Sequence, residues 1–267
     1  TWVYLLVTIS GFWMFCVHIL FKDHPFLDPQ MFRDRNFRIG LMFIFVVGII
    51  LLASLALLPP MLSRILGYPV ITTGWVMAPR GVGTMISMLL VGRLVRKVDP
   101  RLLVVAGLSL TALSLWEMTG FTPQMDAWPV IRSGVVQGLG LGLVFVPLST
   151  IAFATLEPRF RADATSLFSL VRNIGSSIGI SLVTAALSRN VQINHAELGA
   201  FIQPFNPLLA QVSPGAIAGD PAALQMMDGL VNIQAAMVSY IDDFYLMMWV
   251  SLAAIPLALI LRRPERA

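Results

Sequence analysis

The chain has 267 residues, of which 57% are hydrophobic and only 12% charged, about half the charged share of an average soluble domain. Folded in water, such a composition would expose apolar patches large enough to aggregate, so a water-soluble globule is excluded. The net charge of +4 would suit a nucleic-acid partner, but the placement of the basic residues gives it a different cause.

A bilayer core takes roughly 20 apolar residues per helix, and the chain offers seven such runs, at 1–21, 39–62, 65–92, 102–121, 127–156, 164–188 and 244–261. The first has no basic stretch before it and is too long for a signal peptide. It opens on Thr1 rather than Met, so a fragment or processed product is expected. Cys16, the one cysteine, sits inside this run and supports neither a disulfide framework nor zinc spacing. Residues 22–38 contain HPFLDPQMF, a proline-punctuated amphipathic stretch that should lie along the cytoplasmic interface. The run 39–188 then holds five spans. A long connection at 189–243 follows, punctuated by Pro and Gly around 203–221. Its end, 222–240, has apolar residues near helical spacing and reads as a surface helix leading into the last span. Residues 244–267 form that span and a basic tail.

Lys and Arg fix the expected orientation through the positive-inside rule. Lys22, Arg33, Arg35 and Arg38 follow the first span; Arg93, Arg96, Lys97 and Arg101 follow the third; Arg159 and Arg161 follow the fifth; Arg262, Arg263 and Arg266 end the chain. The alternate connections carry only Arg64 and Arg189. The N-terminus is therefore expected outside and the C-terminus in the cytoplasm, and nucleic acid is dropped as a partner.

Three kinds of residue within the spans stand out. Small residues let helices approach closely where lipid removes the hydrophobic drive: Gly134, Gly138 and Gly142, with Gly140 between them, in the fifth span, and Gly175 and Gly179 in the sixth. These faces imply close packing, or a fifth and sixth helix that slide against each other. Pro59, Pro60, Pro79, Pro147 and Pro256 are expected to kink or break their helices. Ionisable residues at depth are costly and functional by default. Arg80 lies mid-span in APRGVG; Glu117, Arg132, Asp242 and Asp243 lie near outer ends, where snorkelling to the interface is the plainer account. With Gln137 these form the candidate substrate or proton pathway. Asp163 and Arg172 bracket the inner start of the sixth span. His18, His24 and His195 are scattered without metal-ligand spacing, and there is no phosphate-binding loop. No cofactor, metal site or enzymatic chemistry is expected, and the absence of Lys within any span argues against a retinal pump.

The segments PFLDPQMFRDRNF, LLPPMLSRILGYP, APRGVGTMISMLLVGRLVRKVDPR, VVQGLGLGLVFVPLS, RADATSLFSLVRNIGSSIGIS and QAAMVSYIDDFYLMM occur in this order. Together they resemble the C-terminal half of fourteen-span drug:proton antiporters of the major facilitator superfamily, EmrB/QacA type, and most closely the Gram-negative EmrB-like permeases. The resemblance implies an all-α polytopic helical bundle in the bacterial inner membrane, with one accessory helix before a six-helix domain. Gly92, Leu94, Lys97 and Arg101 fit the family's cytoplasmic signature, while Arg96 occupies its acidic position and Asp99 its inner glycine, which puts that latch in doubt here. Gly92, Arg101, Asp163, Arg172 and the two glycine faces would serve packing or conformational change. The resemblance further implies export of amphipathic, often cationic or uncoupler-like drugs, driven by inward proton flow, with inverted repeats rocking about a midplane site. Its implied partners are the missing N-terminal half, a periplasmic adaptor and an outer-membrane channel, besides the lipid bilayer. The family's best-known proton-coupling carboxylate lies in a helix this chain lacks. The seven-span, N-out topology would equally suit a receptor or sensor; a channel is disfavoured by the absence of a repeated polar ring.

Overall fold

A computed structural model of the chain describes residues 2–21, 29–95, 97–203 and 213–260. Lys22, His24, Arg96, Arg262, Arg263 and Arg266, which carry part of the sequence argument, lie outside the described residues.

The described chain is helical, with no strand. Its helices are α1 (Trp2–Phe21), α2 (Arg35–Arg64), α3 (Val70–Leu94), α4 (Pro100–Met118), α5 (Trp128–Ala154), α6 (Arg161–Gly199), the short α7 (Pro214–Ile217) and α8 (Pro221–Ile260). Among the described residues six of them, α2 to α6 and α8, are long and apolar enough to cross a membrane. The 20-residue α1 covers the first expected span, and its side chains Val3, Tyr4, Leu6, Trp13 and Met14 are all largely exposed.

Local chemistry sets several boundaries. Asp34 caps α2, its carboxylate accepting from the Phe37 N–H at 2.8 Å. Asp99 caps α4, accepting from the Arg101 N–H at 3.1 Å, and Pro100 supplies a pre-set first residue that needs no donor. Between α2 and α3, Gly67 takes φ +69, a left-handed turn that a residue with a Cβ resists. The five intrahelical prolines do not break their helices: α2, α3, α5 and α8 each continue past them.

The largest departure from expectation is at 189–243. α6 runs on to Gly199, and α8 begins at Pro221 rather than near 244. Much of the expected loop is therefore helix continuous with the last two spans. Nothing in RNVQINHAEL, residues 189–198, interrupts helical hydrogen bonding until Gly199, so the helix persists beyond its apolar part. The expected surface helix at 222–240 exists, fused to the last span. The two extensions are tied by Asn194 Nδ2 donating to Ser239 Oγ (2.9 Å) and by His195 Nε2 against Asp228 Oδ1 (3.1 Å).

The bundle is organised about α5, which packs against both α3 and α4, while α2 pairs with α6 and α8 lies across α4 and α6. Apolar side chains form two clusters along the bundle. One holds Phe37, Phe43, Ile44, Leu148 and Phe168; the other holds Leu57, Met61, Leu115, Met118 and Phe244. Two basic connections meet at one end, where Arg159 Nη2 donates to Gln30 Oε1 at 3.3 Å.

The glycine faces are seams, and each has its own partner. A Cβ on Gly138 would meet the Arg80 carbonyl oxygen and, at 2.9 Å, the Thr84 nitrogen; one on Gly142 would meet the Ser87 Cβ at 2.6 Å. Gly175 and Gly179 lie against the backbone of α2 at Phe45 and Ile49, and Gly48 of α2 lies against the Arg172 carbonyl in return. The expectation that the fifth and sixth helices use these faces to slide on each other is therefore corrected. The seam of α5 mates with α3 and that of α6 with α2, because each small-residue face is matched to a backbone that approaches it. Gly92, by contrast, faces open space.

A methyl at a seam must push two backbones apart, an overpacking cost of about 1–3 kcal/mol. Gly138→Ala is expected to lower the melting temperature of the detergent-purified protein measurably, whereas Gly92→Ala should stay within about 0.5 kcal/mol of wild type. Equal melting temperatures for the two variants would contradict the seam.

Candidate functional site

Arg80 is held at depth by what α5 lacks. Its backbone can lie against α5 because Gly138 carries no side chain there; Gly134, one turn earlier, sits at ordinary contact distance, its Cβ position 3.6 Å from that of Arg80. The side chain turns toward α2, where Nη2 donates to Ser54 Oγ at 3.1 Å and reaches the Leu51 carbonyl at 3.5 Å, the outer limit of a useful bond. The residue is 7% exposed, and Nη1 is buried without a partner. A guanidinium offers five donors and keeps its charge, so this one retains unused hydrogen-bonding capacity.

It faces a cavity of about 670 Å³ between α2, α3, α5 and α6. The walls are mainly apolar and soft, with Leu51, Leu55, Met77, Met88 and Phe145, and Thr84 adds a hydroxyl. A second cation, Arg172 of α6, lines the same space, its guanidinium carbon 5.5 Å from the centroid of the Phe145 ring, in cation–π range. An apolar chamber with two guanidiniums in its wall can hold an amphipathic molecule and orient its polar head.

The other candidates fall elsewhere. Gln137 follows Gly134 by one turn of α5 and is fully buried, with neither Oε1 nor Nε2 partnered. Glu117 and Arg132 form an ion pair at 2.8 Å beside a smaller cavity of about 410 Å³ flanked by Trp116 and Trp128. Arg132 is largely exposed there, as an end-of-span residue should be. Asp242 is exposed, but its neighbour Asp243 is 1% exposed and its Oδ2 has no partner. Asp163 sits half-buried in the first turn of α6, where a carboxylate suits the helix dipole. Arg101 donates its backbone N–H to Asp99, and its Nε is buried without a partner.

The structure thus brings Arg80, Gly134, Gly138 and Arg172 to one place and sets Glu117, Arg132, Asp242 and Asp243 apart from it. Ser54 was not among the residues singled out from the sequence. It had a signal: it is the one polar side chain between Ile39 and Leu62. Phe145 and the two methionines had none, since apolar residues in a span are the rule.

The sequence profile of the Major Facilitator Superfamily matches residues 2–188. The chain belongs to this superfamily. It is similar to the multidrug export protein EmrB of Escherichia coli (strain K12), with 31% identity over 211 residues, covering 76% of this chain and 40% of that protein. It is similar also to the probable multidrug resistance protein EmrY of the same strain, with 32% identity over 188 residues, 70% of this chain and 37% of that one. The fatty acid resistance protein FarB of Neisseria gonorrhoeae shares 31% over 199 residues, 74% and 39%. The chain spans about two fifths of the length of these relatives. It is a multi-pass inner-membrane protein of the superfamily, and the receptor alternative is not favoured.

Within this superfamily bundle the two polar arrangements should differ in their contribution to stability. Ser54→Ala removes the only side-chain acceptor that the buried Arg80 has among the described residues and is expected to cost about 1.5–3 kcal/mol. Glu117→Gln breaks a pair whose cation is mostly exposed and should cost about 0–1 kcal/mol. Thermal unfolding of the two variants side by side checks the ranking.

Proposed function

We propose that the chain supplies the C-terminal half of a proton-driven exporter of amphipathic compounds that works by alternating access. The observation that carries this reading is the Arg80 cavity, a chamber with apolar walls and two guanidiniums, set beside glycine seams. The names of the relatives, two for multidrug export or resistance and one for fatty acid resistance, support the same class of cargo. The guanidiniums favour an acidic or otherwise electron-rich head group over a permanent cation, which narrows the broader expectation drawn from the family resemblance.

In this reading the N-terminal half faces the cavity and completes the binding chamber. The two halves rock about it, so that the cargo meets one side of the membrane and then the other. Proton uptake and cargo binding favour different conformations, and each acts only through its differential affinity for the two. A periplasmic adaptor and an outer-membrane channel would continue the route in a Gram-negative cell.

Everted vesicles carrying the full-length transporter test this. Accumulation of a labelled amphipathic acid should depend on the transmembrane pH gradient; accumulation that persists after the gradient is collapsed would refute proton drive. Arg80→Ala removes a charged donor from the chamber and is expected to lower transport about 10- to 100-fold. Arg64→Ala, at the exposed end of α2, should stay within about twofold. Equal losses for both would remove Arg80 from the site.

A further inference from the structure

Asp243 is the buried charge that the Arg80 cavity does not explain. Along α8 the residues Tyr240, Asp243, Phe244, Met247 and Ser251 are all buried and recur at helical spacing. Asp242, Tyr245, Leu246 and Trp249 occupy the exposed side. Asp243 is therefore the acidic member of an otherwise inward-facing stripe, and the adjacent Asp242 is turned away from the core.

The other polar members of this face are satisfied. Ser239 Oγ donates to the Ala235 carbonyl and accepts from Asn194, and Ser251 Oγ donates to the Leu108 carbonyl of α4 at 3.1 Å. Asp243 has neither arrangement: its Oδ2 is buried without a partner, and no basic side chain forms an ion pair with it among the described residues. Two titratable neighbours act on this face, the carboxylate of Asp242 on Asp243 and the hydroxyl of Tyr240, which interacts with both Asp243 and Arg64. Glu117 of α4 is held by Arg132, while Arg64 of α2, Arg189 of α6 and Asp242 of α8 itself are exposed. The immediate lining is Phe244, which meets Phe121 edge-on at 6.1 Å, with Tyr240 and Met247. An isolated ionised carboxylate in such surroundings carries a large desolvation penalty unless a cation or donor reaches it.

We propose that Asp243 is the protonation site of this half of the transporter, its carboxyl loading a proton while the bundle is open to one side of the membrane and releasing it to the other. This rests on the proton-driven reading above. The step is a simple transfer: an O–H bond forms at Oδ2 as a hydronium ion on the loading side gives up its proton and is left as water. The same bond breaks when water on the far side takes the proton to become hydronium, and the carboxylate is regenerated. In the closed bundle only the neutral acid is free of the desolvation penalty, so the conformational change and the proton travel together. Arg80 and Arg172 then serve the cargo and Asp243 the proton, on different helices of one bundle.

Proteoliposomes containing the full-length transporter separate the possibilities. Asp243→Asn is expected to abolish accumulation driven by a pH gradient while counterflow exchange of labelled cargo stays within about twofold of wild type. Asp242→Asn should leave both intact. Titration followed by infrared difference spectroscopy should show a protonated-carboxyl band in the wild type that Asp243→Asn lacks. Gradient-driven accumulation retained in Asp243→Asn would overturn the assignment, as would equal loss of accumulation and exchange in a folded variant, which marks a cargo contact instead. Should Asp243→Asn not reach the membrane, Asp243→Glu decides. Coupled transport with a displaced pH profile supports the assignment, and an unchanged profile refutes it. A wild type indifferent to the pH gradient would defeat the proton-driven reading itself, and that arm involves no variant.

Discussion

Lipid tails are as apolar as leucine side chains, so burying apolar surface does little to hold one membrane helix against another. This bundle meets that constraint with close backbone approach. Gly134, Gly138 and Gly142 admit α3 to α5; Gly48, Gly175 and Gly179 do the same for α2 and α6. Dispersion falls off steeply with separation, and backbones brought this near gain contacts that bulkier residues would forfeit. The position of Arg80 follows from the first of these seams, because the helix that carries it rests on bare glycine.

Polar groups inside such a bundle have no water to fall back on; some here bond carbonyls of their own helix, and four serines reach carbonyls on neighbouring helices. Ser87 donates to Leu139, Ser114 to Ser133, Ser176 to Gly48 and Ser251 to Leu108. These bonds cross between helices and add direction to contacts that glycine leaves featureless. Against that background, Thr73 Oγ1, Arg80 Nη1, Arg101 Nε, the Gln137 amide and Asp243 Oδ2 stand out as buried groups without partners. Of these, Arg80 borders the large cavity between α2, α3, α5 and α6.

Much of this was legible in the sequence. Long apolar runs fix helices in a membrane almost regardless of neighbours, so the spans from α2 to α5 emerged with ends shifted by a few residues. Arg80 was legible as a mid-span charge. The partner of each glycine face was not, because a small-residue stripe says that something approaches closely without saying which helix does. Nor was the length of α6 and α8: a polar stretch such as 189–198 looks like a connection, yet it contains nothing to end a helix already under way. The roles of Asp242 and Asp243 differ only by the 100° turn between adjacent helical positions. The phase of the helix separates them, and the flanking Tyr240, Phe244 and Met247 encode that phase only once the buried face is known.

α8 gives this bundle a mechanical property that a chain of short helices would lack. Its 40 residues form a rod about 60 Å long, rooted in both apolar clusters, through Phe244 and Met247 in one and Ala254 and Ala258 in the other. Its far end touches α6 where Asp228 meets His195. From Ala222 to Ile255 the helix carries no internal proline at which to absorb a displacement, so that stretch tilts as one. Whatever grips or loads the extension at one surface is thereby felt along that stretch, and the arm beyond the apolar clusters acts as the long end of a lever.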